Sequence, residues 1–98
     1  MGFAQLIEYT TTRPDEVADL LAEWERATQG KRTARRAVWM RLRDNPDRYY
    51  ELVFFDSYES AMENSQLPET GEFAARMREL VDGEITFRDV DVVDEREL

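Results

Sequence analysis

The chain of 98 residues contains no cysteine and no histidine. Without cysteine there are no disulfides and no thiolate chemistry, which fits a cytoplasmic protein. Without histidine, most zinc sites, histidine-dependent triads and histidine-ligated haem are excluded. No apolar run approaches the ~18 residues of a membrane span, and no charged-then-apolar leader opens the sequence, so no membrane partner and no secretion are expected. Lysine is nearly missing: of the 13 basic residues only Lys31 is not arginine. The net charge of -9 repels a phosphate backbone unless basic groups cluster. The densest cluster, Lys31, Arg32, Arg35 and Arg36, reads as the solvated exit of a helix, so nucleic acid is not an expected partner. "DVD" at 89–91 lacks the glycine and distal glutamate of a calcium loop. No metal or other cofactor is expected, and no nucleophile–base pair suggests hydrolysis.

What remains is ordinary for a globular protein, with 42% apolar residues. The length suits one domain, 1–98. Such a domain buries only ~60–65% of its unfolded surface, so dimerisation would help it. "FAQLIEY" (3–9) is β-rich and reads as a strand. Thr12 as cap, Pro14 in the first turn and Asp15 and Glu16 near the dipole start a helix. Its stripe is Val17, Leu20, Leu21, Trp24 and Ala27, and Gly30 ends it. Trp24 is placed in the core. "ARRAVWMRLR" (34–43) alternates as a strand, "DNPD" is turn chemistry, and "RYYELVFF" (48–55) is the next strand. Asp56 and Glu59 have capping-box spacing for a short helix to about Asn64. Pro68 begins another helix, which Gly83 stops, and "EITFRDVDVV" (84–93) is the last strand. The order is βαββαβ, an α+β ferredoxin-like fold: a four-stranded antiparallel sheet with helices on one face.

Apolar parity sets a register for the central hairpin. Val38, Met40 and Leu42 beside Phe54, Leu52 and Tyr50 give one continuous apolar face, with Asn45–Asp47 as the turn. This pairing sets Arg41 opposite Glu51, Arg43 opposite Tyr49 and Trp39 opposite Val53. The face left without helices then carries Trp39, Arg41, Arg43, Tyr49, Glu51, Val53 and Phe55. It is too aromatic for plain solvent and too charged for a dry core, so it suits a wet cavity wall or a homodimer seam. In the last strand Ile85 and Phe87 share one parity and Val90 and Val92 the other, which places a bulge near Arg88–Asp89 or sends the strand's end to a partner subunit.

"LRDNPDRYYELVFFDSYESAMENS" (42–65) resembles the dimeric α/β-barrel superfamily, in the branch related to antibiotic-biosynthesis monooxygenases. "SYESAMENSQLPETGEFAARM" is similar to a stretch common in actinobacterial proteins of this kind. The resemblance implies a homodimer in which two ferredoxin-like sheets face each other as a barrel. Many relatives carry Glu and Trp where this chain has Val53 and Phe55, and a histidine where it has Asn64. The iron-binding histidine of haem-degrading members has no counterpart. The resemblance therefore points to cofactor-free oxygenation of an aromatic phenol or quinol, with Trp39, Arg41, Arg43, Tyr49, Glu51, Phe55 and Asn64 as candidate ligand contacts. A non-catalytic dimer that binds a small ligand or another protein is the alternative.

Overall fold

Alternation and capping divide the chain into strands and helices whose order fixes where a cavity can form. The computed structural model describes residues 2–98. The elements are β1 (Phe3–Thr10), α1 (Pro14–Ala27), β2 (Arg36–Arg41), β3 (Arg48–Phe55), α2 (Tyr58–Ser65), α3 (Pro68–Leu80) and β4 (Asp82–Asp91). The strands form one antiparallel sheet in the order β2-β3-β1-β4. This is the expected α+β ferredoxin-like arrangement, with the segment after β3 split into two helices.

Local chemistry explains the boundaries. Pro14 sits in the first turn of α1, and Asp15 and Glu16 lie at its positive end. Thr12 does not cap this helix. Arg13 occupies the cap position, and the Thr11 hydroxyl accepts the Arg13 N–H (3.0 Å) while donating to the Leu80 carbonyl (2.6 Å). That buried hydroxyl ties the start of α1 to the end of α3. The capping box of α2 is formed by Ser57 and Ser60, not by Asp56 and Glu59. Serine wins because its short hydroxyl reaches the backbone N–H three residues away while staying close to its own chain.

Gly83 does not stop α3. The helix ends at Leu80, Val81 is extended, and Gly83 lies inside β4 with φ of +82°. The β1–β4 register shifts there, between the pairs Glu8↔Thr86 and Thr10↔Asp82. The bulge is therefore at the start of β4, where a glycine tolerates positive φ. Through Arg88 and Asp89 the ladder is regular, with Leu6↔Arg88, Gln5↔Asp89 and Ala4↔Val90. The change of apolar parity along β4 means only that Phe87 and Val90 lie on opposite faces.

The central hairpin carries two corrections. Its register is Val38↔Leu52, Trp39↔Glu51, Met40↔Tyr50 and Arg41↔Tyr49, two residues from the expected one. Arg41 is thus not opposite Glu51. The connection is the longer loop Arg43–Asp47, closed by Leu42 N–H to Arg48 O (2.9 Å) and Arg48 N–H to Asn45 O (3.0 Å). A slip of two residues leaves every side chain on its original face, so apolar parity cannot detect it.

The second correction is the face itself. Trp39, Tyr49 and Glu51 lie beneath the helices. Tyr9 and Tyr49 pack with Val17 and Leu20 of α1 and Met77 of α3, and Ile7, Trp39, Phe73 and Ile85 surround that cluster. Phe3, Phe55 and Ala61 form a second cluster beneath α2. The open face carries Leu6, Val38, Met40, Leu52, Phe54 and Val90, with Met40 40% and Val90 37% exposed. Both faces are rich in large apolar groups, so composition alone did not decide which one the helices cover.

Candidate ligand cavity

A cavity of about 610 Å³ lies between the sheet and helices α1 and α3. Its floor is built by strand alternation. Ile7 and Tyr9 come from β1, Trp39 from β2, Glu51 and Val53 from β3, and Ile85 and Phe87 from β4. The roof is Leu21 and Trp24 of α1 with Phe73, Ala74 and Met77 of α3. Glu25, Arg35, Arg36 and Gly71 line it and are exposed, which marks where it opens to solvent.

The aromatic groups are fixed by one another. Trp39 stacks on Tyr49 with ring centroids 5.3 Å apart, and Tyr49 stacks on Tyr9 at 6.0 Å. In the roof, the Trp24 indole N–H donates to the Thr70 hydroxyl (3.0 Å), and its ring tilts against Phe73 at 6.0 Å. Arg32 lies over Trp24 at 5.9 Å while donating to the Glu25 carbonyl (2.6 Å). Rings held on both sides lose little further freedom when a flat ligand enters between them.

Among the polar groups of this lining, Glu51, Tyr9 and Trp39 stand together on the sheet. Glu51 is 8% exposed, and burial alone pushes its carboxyl up to about 7. Among the described residues no cation and no hydrogen-bond donor reaches it to offset that burial. The Tyr9 hydroxyl is held well above the ordinary phenol value, first by burial and then by the nearby charge of Glu51. The Trp39 indole nitrogen is near enough to the Tyr9 hydroxyl to lower that value somewhat. Its N–H nonetheless completes no well-formed hydrogen bond and is buried without a partner. A buried donor without a well-formed bond and a largely desolvated acid, both facing this space, are costly unless something fills it.

Of the residues expected at the site, Trp39 and Glu51 line this cavity, and Tyr49 supports Trp39 from behind. Arg41 and Arg43 are exposed at and beyond the end of β2 and lie outside its lining. Phe55 belongs to the cluster with Phe3 and Ala61. Asn64 is buried, and its side-chain oxygen accepts the Thr33 N–H (3.2 Å), anchoring the loop before β2 to α2. The basic cluster is largely engaged, with Lys31 on Glu69 and Arg35 on Asp56. Sequence reasoning missed Tyr9, Trp24 and Phe73 as cavity groups. An amphipathic stripe marks the buried side of a helix but does not say where packing leaves a gap. Among the described residues, no three acidic side chains converge as a metal site, and no helix is long and apolar enough to cross a membrane.

No family profile matches the sequence, and no curated protein matches it. Solved structures do match. SnoaB from Streptomyces nogalater, a cofactor-independent oxygenase solved as a point variant, superposes with a TM-score of 0.82 at 14% identity, over 96% of this chain and 95% of that one. Rv0793 from Mycobacterium tuberculosis gives 0.78 at 17% identity, over 99% of this chain and 100% of that one. A protein named as an antibiotic biosynthesis monooxygenase gives 0.75 at 10% identity, over 94% and 99%. At such identities the likeness is one of fold, and the fold of this chain is the ferredoxin-like one shared by structures named as antibiotic biosynthesis monooxygenases.

Proposed function

We propose that this protein binds a planar aromatic phenol or quinol in the cavity between sheet and helices and oxygenates it with molecular oxygen, without a cofactor. One observation carries the reading. Rigid aromatic walls, Trp39 below with Trp24 and Phe73 above, surround a space that also holds the unpaired polar groups of Trp39 and Glu51. A mostly apolar pocket with a few convergent polar groups is the usual form of a small-molecule site. The shared fold with a cofactor-independent oxygenase supports it. In such chemistry the substrate supplies the electrons. A phenol and O₂ give a quinone and water: one oxygen atom becomes the new carbonyl, and the other leaves with two substrate hydrogens. The protein's task is to orient the ring, exclude water and stabilise the anionic form that gives up an electron most readily.

The proposed assembly is a homodimer in which the open sheet faces meet, completing a dimeric α/β barrel. Leu6, Val38, Met40, Leu52 and Phe54 offer an apolar surface that no helix of the same chain covers. The barrel interior is then a seam, and the ligand site lies outside it. The lack of cysteine keeps the cytoplasm as the proposed compartment.

Oxygen uptake with a panel of quinols and polyphenols, measured against autoxidation in buffer, tests the reading. Wild type should exceed the buffer rate, Trp39→Ala should fall towards it, and Arg41→Ala, outside the cavity, should match wild type. If wild type never exceeds autoxidation, the oxygenase reading fails and the protein is a binding module. If Trp39→Ala retains full activity, the chemistry is not in this cavity.

A further inference from the structure

We propose that Glu51 is the catalytic base of the cavity, accepting the proton of the ligand's hydroxyl while the indole N–H of Trp39 stabilises the oxyanion that results. This deepens the reading above and rests on it, because it names the group that would generate the reactive phenolate.

The geometry leads here by way of the sheet register. Trp39 and Glu51 are direct partners across β2 and β3, so their side chains leave the same face side by side. Ile7 is the partner of Glu51 on the other side, in β1, and provides no polar group. Above lie Leu21, Trp24, Phe73 and Met77, all apolar towards this point except for the indole N–H of Trp24, which is already committed to Thr70. Tyr9 is the other titratable group on the floor and is held in its protonated form. The other charged groups that line the same space are Glu25 of α1, Arg32 and Arg35 of the connection into β2, and Arg36 at the start of β2; α3 and β4 contribute none. Arg32 is bound to the Glu25 carbonyl and Arg35 to Asp56. A largely buried carboxyl thus faces the cavity with no cation beside it, next to an N–H donor that lies near the Tyr9 hydroxyl but makes no hydrogen bond of good geometry.

A hydroxylated aromatic ring supplies both missing partners. With the ring in the aromatic slot, its hydroxyl can donate to Glu51 and accept from Trp39 Nε1. In the transfer the O–H bond of the ligand breaks and an O–H bond forms on Glu51. The negative charge moves from carboxylate to phenolate oxygen, where the indole N–H stabilises it, and no electron leaves or enters in this step. Burial tunes Glu51 for the task, since a carboxyl brought up to about 7 is a stronger base than an exposed one yet is still substantially ionised near neutral pH. A ligand with an ether in place of the hydroxyl has no proton to give and leaves Glu51 unsatisfied.

Binding, measured without turnover, tests this. Phenol and its methyl ether, anisole, are titrated into wild type, Glu51→Gln and Trp39→Phe by calorimetry between pH 5 and 9. Phenol itself ionises near ~10. Wild-type affinity for phenol should therefore be level above about pH 8 and fall by up to about a hundredfold towards pH 5 as Glu51 takes up a proton of its own. Glu51→Gln, nearly isosteric and checked for fold by circular dichroism, should show less than about a twofold change over the same range. Trp39→Phe should bind more weakly at every pH yet keep the acid fall. Anisole should bind with no pH dependence. If wild type and Glu51→Gln share one pH profile for phenol, or phenol behaves as anisole does, Glu51 is not the base, although the cavity still binds aromatic rings. If neither compound binds at millimolar concentration, the cavity reading and this proposal fall together.

Discussion

Replacing Glu51 with glutamine should stabilise the protein above neutral pH and leave it nearly unchanged at pH 5. The folded carboxyl ionises at about 7, against an ordinary value of 4.5. Between those values the folded state holds a proton that the unfolded state has released. Stability therefore falls as pH rises through this window and levels off above it. Each unit of displacement corresponds to 1.36 kcal/mol, so the full window is worth about 3 kcal/mol, an upper figure because water entering the cavity solvates the carboxylate. Glutamine carries no proton to lose and keeps the shape. Urea unfolding of both proteins from pH 5 to 8.5 reads the difference directly, and subtracting one curve from the other cancels every other titrating group. With a slope near 1–3 kcal/mol/M, the midpoints should coincide within a few tenths molar at pH 5 and separate by roughly 1–3 M at pH 8. The glutamine variant must be the more stable one at pH 8. A difference that stays flat with pH, or wild type gaining on the variant as pH rises, would refute the claim that Glu51 is buried without a partner.

Other expectations follow from the same structure. Leu20→Ala removes a side chain packed on Tyr9 and Tyr49 and should cost about 2–5 kcal/mol in urea unfolding. Ser57→Ala removes the capping box of α2 and should cost ~1 kcal/mol, measured the same way. Gly83→Ala forces a side chain into φ of +82° at the β4 bulge, for a loss of roughly 1–2 kcal/mol. Phe54→Glu places a charge on the open sheet face; light scattering at micromolar concentration should show a dimer for wild type and a monomer for the variant, with circular dichroism unchanged.

The fold was legible because several local signals agree. Pro14 and Pro68 open helices, the alternation of β2 and β3 marks strands, and "DNPD" breaks the chain between them. The site was only half legible. Parity grouped Trp39, Tyr49 and Glu51 on one face correctly, because pleating makes that grouping independent of a two-residue slip. It could not say whether helices cover that face, since Val38, Met40, Leu52 and Phe54 on the other side are equally apolar. Contact with Val17, Leu20 and Met77 decides it, and contact is a property of tertiary packing. The expected register sets Arg41 opposite the charge of Glu51, whereas in the fold Trp39 stands there. The charge has no such partner, and the unpaired carboxyl is itself the feature that points to a ligand.

The central claim is that the aromatic ligand enters between sheet and helices and meets Trp39 and Glu51. The indole N–H resonances of Trp24 and Trp39, followed in a proton–nitrogen correlation spectrum while phenol is added at pH 8, test it most directly, with Trp39→Phe assigning the pair. The Trp39 indole signal should shift downfield and saturate as its unpartnered N–H gains a phenolic oxygen, while the amides of Met40 and Phe54 stay in place. A saturating shift confined to Met40, Phe54 and their neighbours, with the Trp39 indole unmoved, would place the ligand on the open sheet face and contradict the account.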